Sequence, residues 1–214
     1  MRPAFHLPRV KVCGLRRSSE VEAATAAGAD AIGLIAVRSS PRFIEAKEAR
    51  ALIQALPSGV QAVAVFTDTT PAEVKAWFAT AGADAVQLCG NEQSSQWRDF
   101  PVPILRRIAV DNTADDEIER WRRVAAGFVL EHPSQAGGSG LPVDLERAAA
   151  LCRLGACMLA GGLDATNVAA RIRSVVPRGV DASSRLESTP GRKDPALIQA
   201  FVLAARAAFE ELNR

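Results

Sequence analysis

The chain has 214 residues, 48% of them hydrophobic and 23% charged, a length and balance that suit one sizeable core and argue against a long disordered region. Its 26 basic and 24 acidic side chains are mixed along the sequence and leave a formal charge of only +2, too balanced to point to nucleic acid or an anionic membrane. Four cysteines lack a Cys-x-x-Cys pair or metal-ligand spacing to His6 and His132, and no segment approaches the roughly 18 continuous apolar residues of a membrane span. With no apolar signal core in its first residues, the chain is expected to be cytoplasmic, where thiols stay reduced.

Short runs rich in valine, isoleucine and leucine alternate with alanine-rich amphipathic stretches of helical length. Strands are predicted near Val10–Cys13, Ala31–Ala36, Ala62–Phe66, Ala85–Leu88, Ile104–Ile108, Gly127–Glu131, Cys157–Leu159 and Val180–Asp181. Helices are predicted near Ser18–Ala27, Glu45–Leu56, Pro71–Ala81, Gln93–Asp99, Ala114–Ala125, Leu145–Leu154, Thr166–Val176 and Pro195–Leu212. Caps are expected at Ser18 and at Thr70, the latter followed by a proline suited to a first helical position. The frame GADAIGL at Gly28 returns as GADAVQL at Gly82, and in both the glycine suits the end of a helix just before a buried strand. Eight βα units predict an α/β fold, a single (β/α)8 TIM barrel over residues 1–214, in preference to a doubly wound open sheet, whose first-turn nucleotide motif is absent.

In such a barrel the active site lies at the C-terminal ends of the strands. The stretch FVLEHPSQAGGSG brings Glu131 to the end of the sixth strand and then opens into glycines. Small-residue turns follow three consecutive strands: Gly138, Ser139 and Gly140 after the sixth, Gly161 and Gly162 after the seventh, Ser183 and Ser184 after the eighth. Glycine lets backbone N–H groups approach an anion closely, so these turns are candidates for binding phosphate, although tight βα turns alone also use such residues.

Cys13 and Glu131 are the candidate proton-transfer pair, a thiol and a carboxyl facing one another across the barrel mouth. A lone cysteine at a strand end is more often a packed small residue, but the glycine following it in KVCG suggests a ligand near the backbone. Arg42, in SPRF, offers a fork for a carboxylate or phosphate, or is simply solvated; Asp181 suits sugar hydroxyls or a cap. Cys89 has no evident partner, Cys152 and Cys157 read as core residues, both histidines as loop residues, and the charges at Asp115–Arg123 as a solvated helix face.

With these positions laid out, the whole chain resembles the phosphoribosylanthranilate isomerase family of tryptophan biosynthesis. KVCG at 11–14, GADAIGLI followed by SPRF, VAVF at 63–66, VQLCG at 86–90, GGSG at 137–140, and LAGGL with Asn167 and Val168 occur in the family's order. DASSRLES and PGRKD resemble its C-terminal signature. The resemblance implies an Amadori rearrangement of an N-(5-phosphoribosyl)anthranilate to the 1-deoxyribulose 5-phosphate ketosamine, with no cofactor and no metal. It implies Cys13 as the base at C2′, Glu131 as the acid at the ring oxygen, Arg42 on the anthranilate carboxylate and Asp181 on the sugar region. The serine and glycine turns would hold the phosphate of this small-molecule aryl amine substrate, in a monomer or homodimer.

Four residues depart from that pattern: Glu131 for aspartate, Cys89 for histidine, Arg185 for the glycine of Ser-Ser-Gly, and Leu34 for an aromatic. All four are expected near the site. They keep two other readings open, a specialised paralogue acting on a different amino-aryl phosphoriboside in a secondary pathway and a non-catalytic phosphosugar-binding barrel.

Overall fold

The computed structural model describes residues 5–134 and 141–213. Eight parallel strands close in sequential order: β1 (Val10–Cys13), β2 (Ala31–Ile35), β3 (Gln61–Phe66), β4 (Ala85–Leu88), β5 (Ile104–Ala109), β6 (Gly127–Glu131), β7 (Cys157–Leu159) and β8 (Gly179–Ala182). Around them run α1 (Ser18–Ala26), α2 (Ala46–Gln54), α3 (Pro71–Ala81), α4 (Ala114–Trp121), α5 (Leu145–Cys152), α6 (Val168–Val175) and α7 (Pro195–Leu212). Among the described residues no helix is long and apolar enough to cross a membrane.

Strand alternation makes two apolar layers. Ala31, Val63, Ala85, Leu105, Val129 and Met158 fill the barrel interior, with Phe5 and Leu7 packed against them. The intervening residues, such as Val12, Ile32, Leu88, Ile108 and Leu130, face the helices. A side-chain period of two is what lets a run with no polar residue serve both layers.

The local signals explain the helix boundaries with two exceptions. Thr70 accepts from the Glu73 N–H while Glu73 accepts from the Thr70 N–H, and Pro71 fills the first turn of α3. Gly82 ends α3 at φ +75°, and Gly28 follows α1 at φ +95°, the left-handed conformation that glycine adopts without strain. Ser18, however, is not a cap: Arg17 is the cap residue, and the Glu20 carboxylate takes the N–H groups of Arg16 and Arg17. The predicted fourth helix near Gln93–Asp99 is only a 3-10 turn, Ser94–Trp97. Two serines compete for their own backbone there and prolines follow at 101 and 103, so no amphipathic face can extend.

Trp97 anchors that turn, 1% exposed and 4.9 Å from the Phe100 ring. Beside it Arg106, pointing outward from β5, fills the space at the outer wall. It pairs with Glu92 at 2.7 Å and Glu117 at 2.9 Å and lies over the Trp121 ring. The charged run on α4 is thus solvated only in part, because Glu117 turns inward to Arg106 and Ile118 and Trp121 are buried. Beyond β8 comes an addition absent from the predicted elements, an antiparallel hairpin of β9 (Glu187–Thr189) and β10 (Arg192–Lys193) turning at Pro190–Gly191.

Candidate active site

The strand ends open onto a cleft of about 360 Å³. Cys13, Glu131 and Asp181 all line it, together with Gln87, Cys89 and Arg42. Two register pairs set its floor. Cys13 stands opposite Gly33 and Lys11 opposite Asp181, and neighbours in parallel register point to the same side of the sheet.

Glycine at 33 is required by this pairing. A Cβ there would lie 2.5 Å from Cys13 Sγ and 2.9 Å from its Cα, so the thiol occupies the volume that any other residue would claim. Gly14 has a related role: at φ +80°, its missing Cβ would lie 2.7 Å from Arg42 Cδ. The glycine after the cysteine therefore makes room for the Arg42 side chain.

Lys11 Nζ donates to Asp181 Oδ2 at 2.6 Å, with the lysine wholly buried. Burial alone would lower the ammonium, but Asp181 and Cys13 more than offset it and hold it above the usual lysine range. Burial pushes the Asp181 carboxyl up, with Lys11 opposing. The short contact favours the charged form of each partner. Burial likewise pushes the Cys13 thiol up; Lys11 and Lys193 pull it back, while Asp181 adds to the rise. Asp181 Oδ1 and Gln87 Oε1 are buried with no hydrogen-bond partner among the described residues. Two orphaned acceptors on residues lining one cleft call for donors from a ligand.

Across the cleft, Arg107 Nε donates to Glu131 Oε2 at 3.0 Å while Nη2 donates to the carbonyls of His132 and Ser134 at 2.8 and 3.0 Å. One guanidinium thus fixes the carboxylate and the start of the loop after β6 together. Cys89 accepts from Gln87 Nε2 at 3.4 Å, and its thiol is pushed up to about 12 by burial and then by the Glu131 charge. It remains a neutral thiol at physiological pH.

At the other end Gly161 and Gly162 have φ of +86° and +63°. Their carbonyls accept from Arg171 and Asn167, both at 2.9 Å. In a trans peptide the N–H points opposite to the C=O, so the next two N–H groups, on Gly162 and Leu163, face away from those side chains. Ser184 and Arg185 open a short 3-10 turn beside them, with Arg185 exposed.

A family model for N-(5′-phosphoribosyl)anthranilate isomerase matches residues 10–204. The chain is 37% identical over 207 residues to the N-(5′-phosphoribosyl)anthranilate isomerase of Rubrobacter xylanophilus, a match covering 94% of this chain and 100% of that one. The enzyme of Acidithiobacillus ferrooxidans is 38% identical over 202 residues, covering 92% and 97%. Among solved structures, phosphoribosyl anthranilate isomerase from Thermotoga maritima matches with a TM-score of 0.85 at 30% identity, over 94% of this chain and 100% of that one. Another, in complex with reduced 1-(o-carboxyphenylamino)-1-deoxyribulose 5-phosphate, gives 0.82 at 28% identity over the same shares.

The chain belongs to the N-(5′-phosphoribosyl)anthranilate isomerase family. It is an isomerase of tryptophan biosynthesis built on a TIM barrel.

In this isomerase the cleft brings together Cys13, Glu131, Arg42, Asp181, Gly161, Gly162, Ser183 and Ser184. Gly138, Ser139 and Gly140 lie outside the described residues. Ser183 has its hydroxyl occupied, donating to Cys13 O at 3.0 Å and accepting from Lys193 Nζ at 3.2 Å. Arg42 is not a free surface arginine: it is 9% exposed, and its Nε and Nη2 donate to the Glu187 carboxylate at 2.7 and 2.9 Å. Of the four departures from the family pattern, Glu131, Cys89 and Arg185 line the cleft. Leu34 does not: with Gly33 facing inward, it is buried in the outer layer against the helices.

Sequence reasoning missed Lys11, Gln87 and Arg107. All three carried a signal, for they sit two residues before an inward-facing position or opposite one: Lys11 before Cys13, Gln87 before Cys89, and Arg107 in register with Val129, itself two before Glu131. A polar residue at such a place in a buried strand must point into the barrel.

Proposed function

We propose that the cleft converts N-(5′-phosphoribosyl)anthranilate to 1-(2-carboxyphenylamino)-1-deoxyribulose 5-phosphate by an Amadori rearrangement. The observation that carries this reading is that one cleft holds a buried thiol, Cys13, a carboxylate, Glu131, and an unpartnered acid oxygen, Asp181 Oδ1.

In the working form the Cys13 proton resides on Glu131, which gives it to the furanose ring oxygen as the nitrogen lone pair opens the ring to an iminium, leaving Cys13 as the thiolate. Cys13 then takes the C2′ proton, leaving an enolamine that becomes the ketone by gaining a proton at C1′ and losing the enol proton. Asp181 accepts from the substrate amine or hydroxyl and, with its negative charge, favours the iminium. Arg42 takes the anthranilate carboxylate through Nη1, the arm with no acceptor among the described residues. The Gly161–Gly162 turn and Ser184 meet the phosphate, together with Gly138, Ser139 and Gly140, while Ser183 contributes to the same loop through its backbone. The substrate supplies every other group, so no cofactor enters. Four free thiols among the described residues fit work in the cytoplasm.

The test is turnover of N-(5′-phosphoribosyl)anthranilate by the purified protein, followed by loss of substrate fluorescence, alongside Cys13→Ala and Glu131→Gln. Turnover that falls about a hundredfold or more in each variant is expected, the scale of losing a positioned acid or base. A folded wild-type protein that binds this substrate without converting it would sink the assignment.

A further inference from the structure

Arg42 meets the cleft as part of a charged assembly. Glu187 takes both Nε and Nη2 of Arg42, and Lys193 Nζ donates to the same carboxylate at 2.6 Å. The Glu187 and Lys193 side chains are 4% and 0% exposed. Both stand on the β9–β10 hairpin, where the Gly191 N–H donates to Glu187 Oε2 at 3.3 Å and closes the turn onto the acid. Two cations thus share one buried carboxylate. The other buried charges near them have their own partners, Lys11 with Asp181, Arg107 with Glu131 and Glu20 with Arg17. Arg42, Glu187 and Lys193 therefore carry one uncompensated positive charge, which a single carboxylate on a ligand would neutralise.

The assembly also reaches the backbone of Cys13. Lys193 Nζ donates to Ser183 O at 3.1 Å and to its Oγ, and Ser183 Oγ donates to the carbonyl of Cys13. The Lys193 N–H in turn donates to Glu20 at the start of α1. One small hairpin therefore ties the guanidinium at the aryl end to the backbone of the residue that would abstract the proton.

We propose that Glu187 and Lys193 are positioning residues of the isomerisation, acting through Arg42 and through Ser183 respectively. Glu187 holds the Nε edge of Arg42 so that Nη1 is presented to the substrate carboxylate in one orientation. Lys193 supplies the charge that leaves the assembly positive after Glu187 is counted, and it keeps the end of β8 against Cys13. The hairpin then sets the distance between aryl recognition and proton abstraction, a distance that neither loop could hold alone. This inference rests on the assigned reaction and goes beyond it in naming what orients its residues.

The test is a double-mutant cycle of Arg42→Met, Glu187→Gln and the two combined, read both as turnover and as calorimetric binding of reduced 1-(o-carboxyphenylamino)-1-deoxyribulose 5-phosphate. Glu187→Gln is expected to lower kcat about ten- to a hundredfold, as expected for a misaligned reactant. Ligand affinity should hold or tighten, because an acid competing for Arg42 is gone. The double variant should be no slower than Arg42→Met alone, since a residue acting through another adds nothing once that partner is lost. Glu187→Asp, which keeps the charge, should recover part of the rate, and Lys193→Met should weaken ligand binding about tenfold, the scale of removing one positive charge from the neighbourhood of the ligand carboxylate.

Additive losses across the cycle would overturn the proposal, as would Glu187→Gln weakening binding and turnover equally. If wild type binds the reduced compound but does not turn over substrate, the assigned reaction fails while the cycle in binding still decides the positioning role. Thermal melting of each variant separates these outcomes from unfolding, and if Glu187→Gln does not fold, Glu187→Asp carries the cycle.

Discussion

Lys11 and Asp181 form a buried ion pair across the seam between β1 and β8, with Nζ 2.6 Å from Oδ2 and Cys13 two residues further along the same inward face. The pair joins the first strand to the last and sets the charge beneath the thiol. Lys11→Met would leave the aspartate buried and alone, and breaking a buried pair from one side costs about 3–5 kcal/mol. The double variant Lys11→Met/Asp181→Asn removes both charges and should regain much of that stability while remaining inactive. Denaturant unfolding of the wild type and these two variants checks this, and a double variant less stable than Lys11→Met would contradict it.

The pH dependence follows from the same neighbourhood. Cys13 must lose its proton to act as a base, and burial holds the thiol above its ordinary value despite Lys11. The base form therefore grows as pH rises through and beyond the usual thiol range near pH 8.5. Because turnover also needs the proton on Glu131, the thiolate is followed directly, as the rate of alkylation of Cys13 by iodoacetamide, which should climb throughout that range. Taking away the Lys11 ammonium removes the largest of the opposing influences, so alkylation of Cys13 in Lys11→Met should need a still higher pH. An alkylation rate at Cys13 that levels off near pH 7 in the wild type would show that the thiol is not held above its ordinary value.

The barrel was legible because its signals are local: alternating apolar runs, the Thr70–Pro71 start of α3, and glycines at 28 and 82 that end helices. The strand ends were legible for the same reason, since Cys13, Glu131 and Asp181 each close a buried run. What supports them was harder to read. Glu187 and Arg42 are 145 residues apart and Lys193 belongs to a hairpin whose strands are too short to show a period, so only the closed barrel brings these charges together. The fourth helix was misjudged because one aromatic anchor, Trp97, satisfies a 3-10 turn as well as a helix. Leu34 was misplaced by one step of strand alternation, which sends it to the outer layer.

Arg107 offers the sharpest test of the acid's placement. It spends Nε on Glu131 and Nη2 on two carbonyls of the loop after β6, so it fixes the carboxylate and the backbone beside it at once. Lysine keeps the charge but is a point donor without the planar fork, and methionine keeps only the stem. Arg107→Met should therefore lower kcat about ten- to a hundredfold, because a shift of the acid by ~1 Å is enough for such a loss. Arg107→Lys should fall between this variant and the wild type. KM should rise as well in the methionine variant, since the segment after β6 that Arg107 ties down leads in sequence to Gly138, Ser139 and Gly140, the proposed phosphate ligands. Stability should drop by about 1–3 kcal/mol in the methionine variant, the scale of leaving buried acceptors without a donor. Steady-state kinetics with thermal melting measures both quantities, and an Arg107→Met enzyme with undiminished kcat would mean that Glu131 is held by something else or does not deliver the proton.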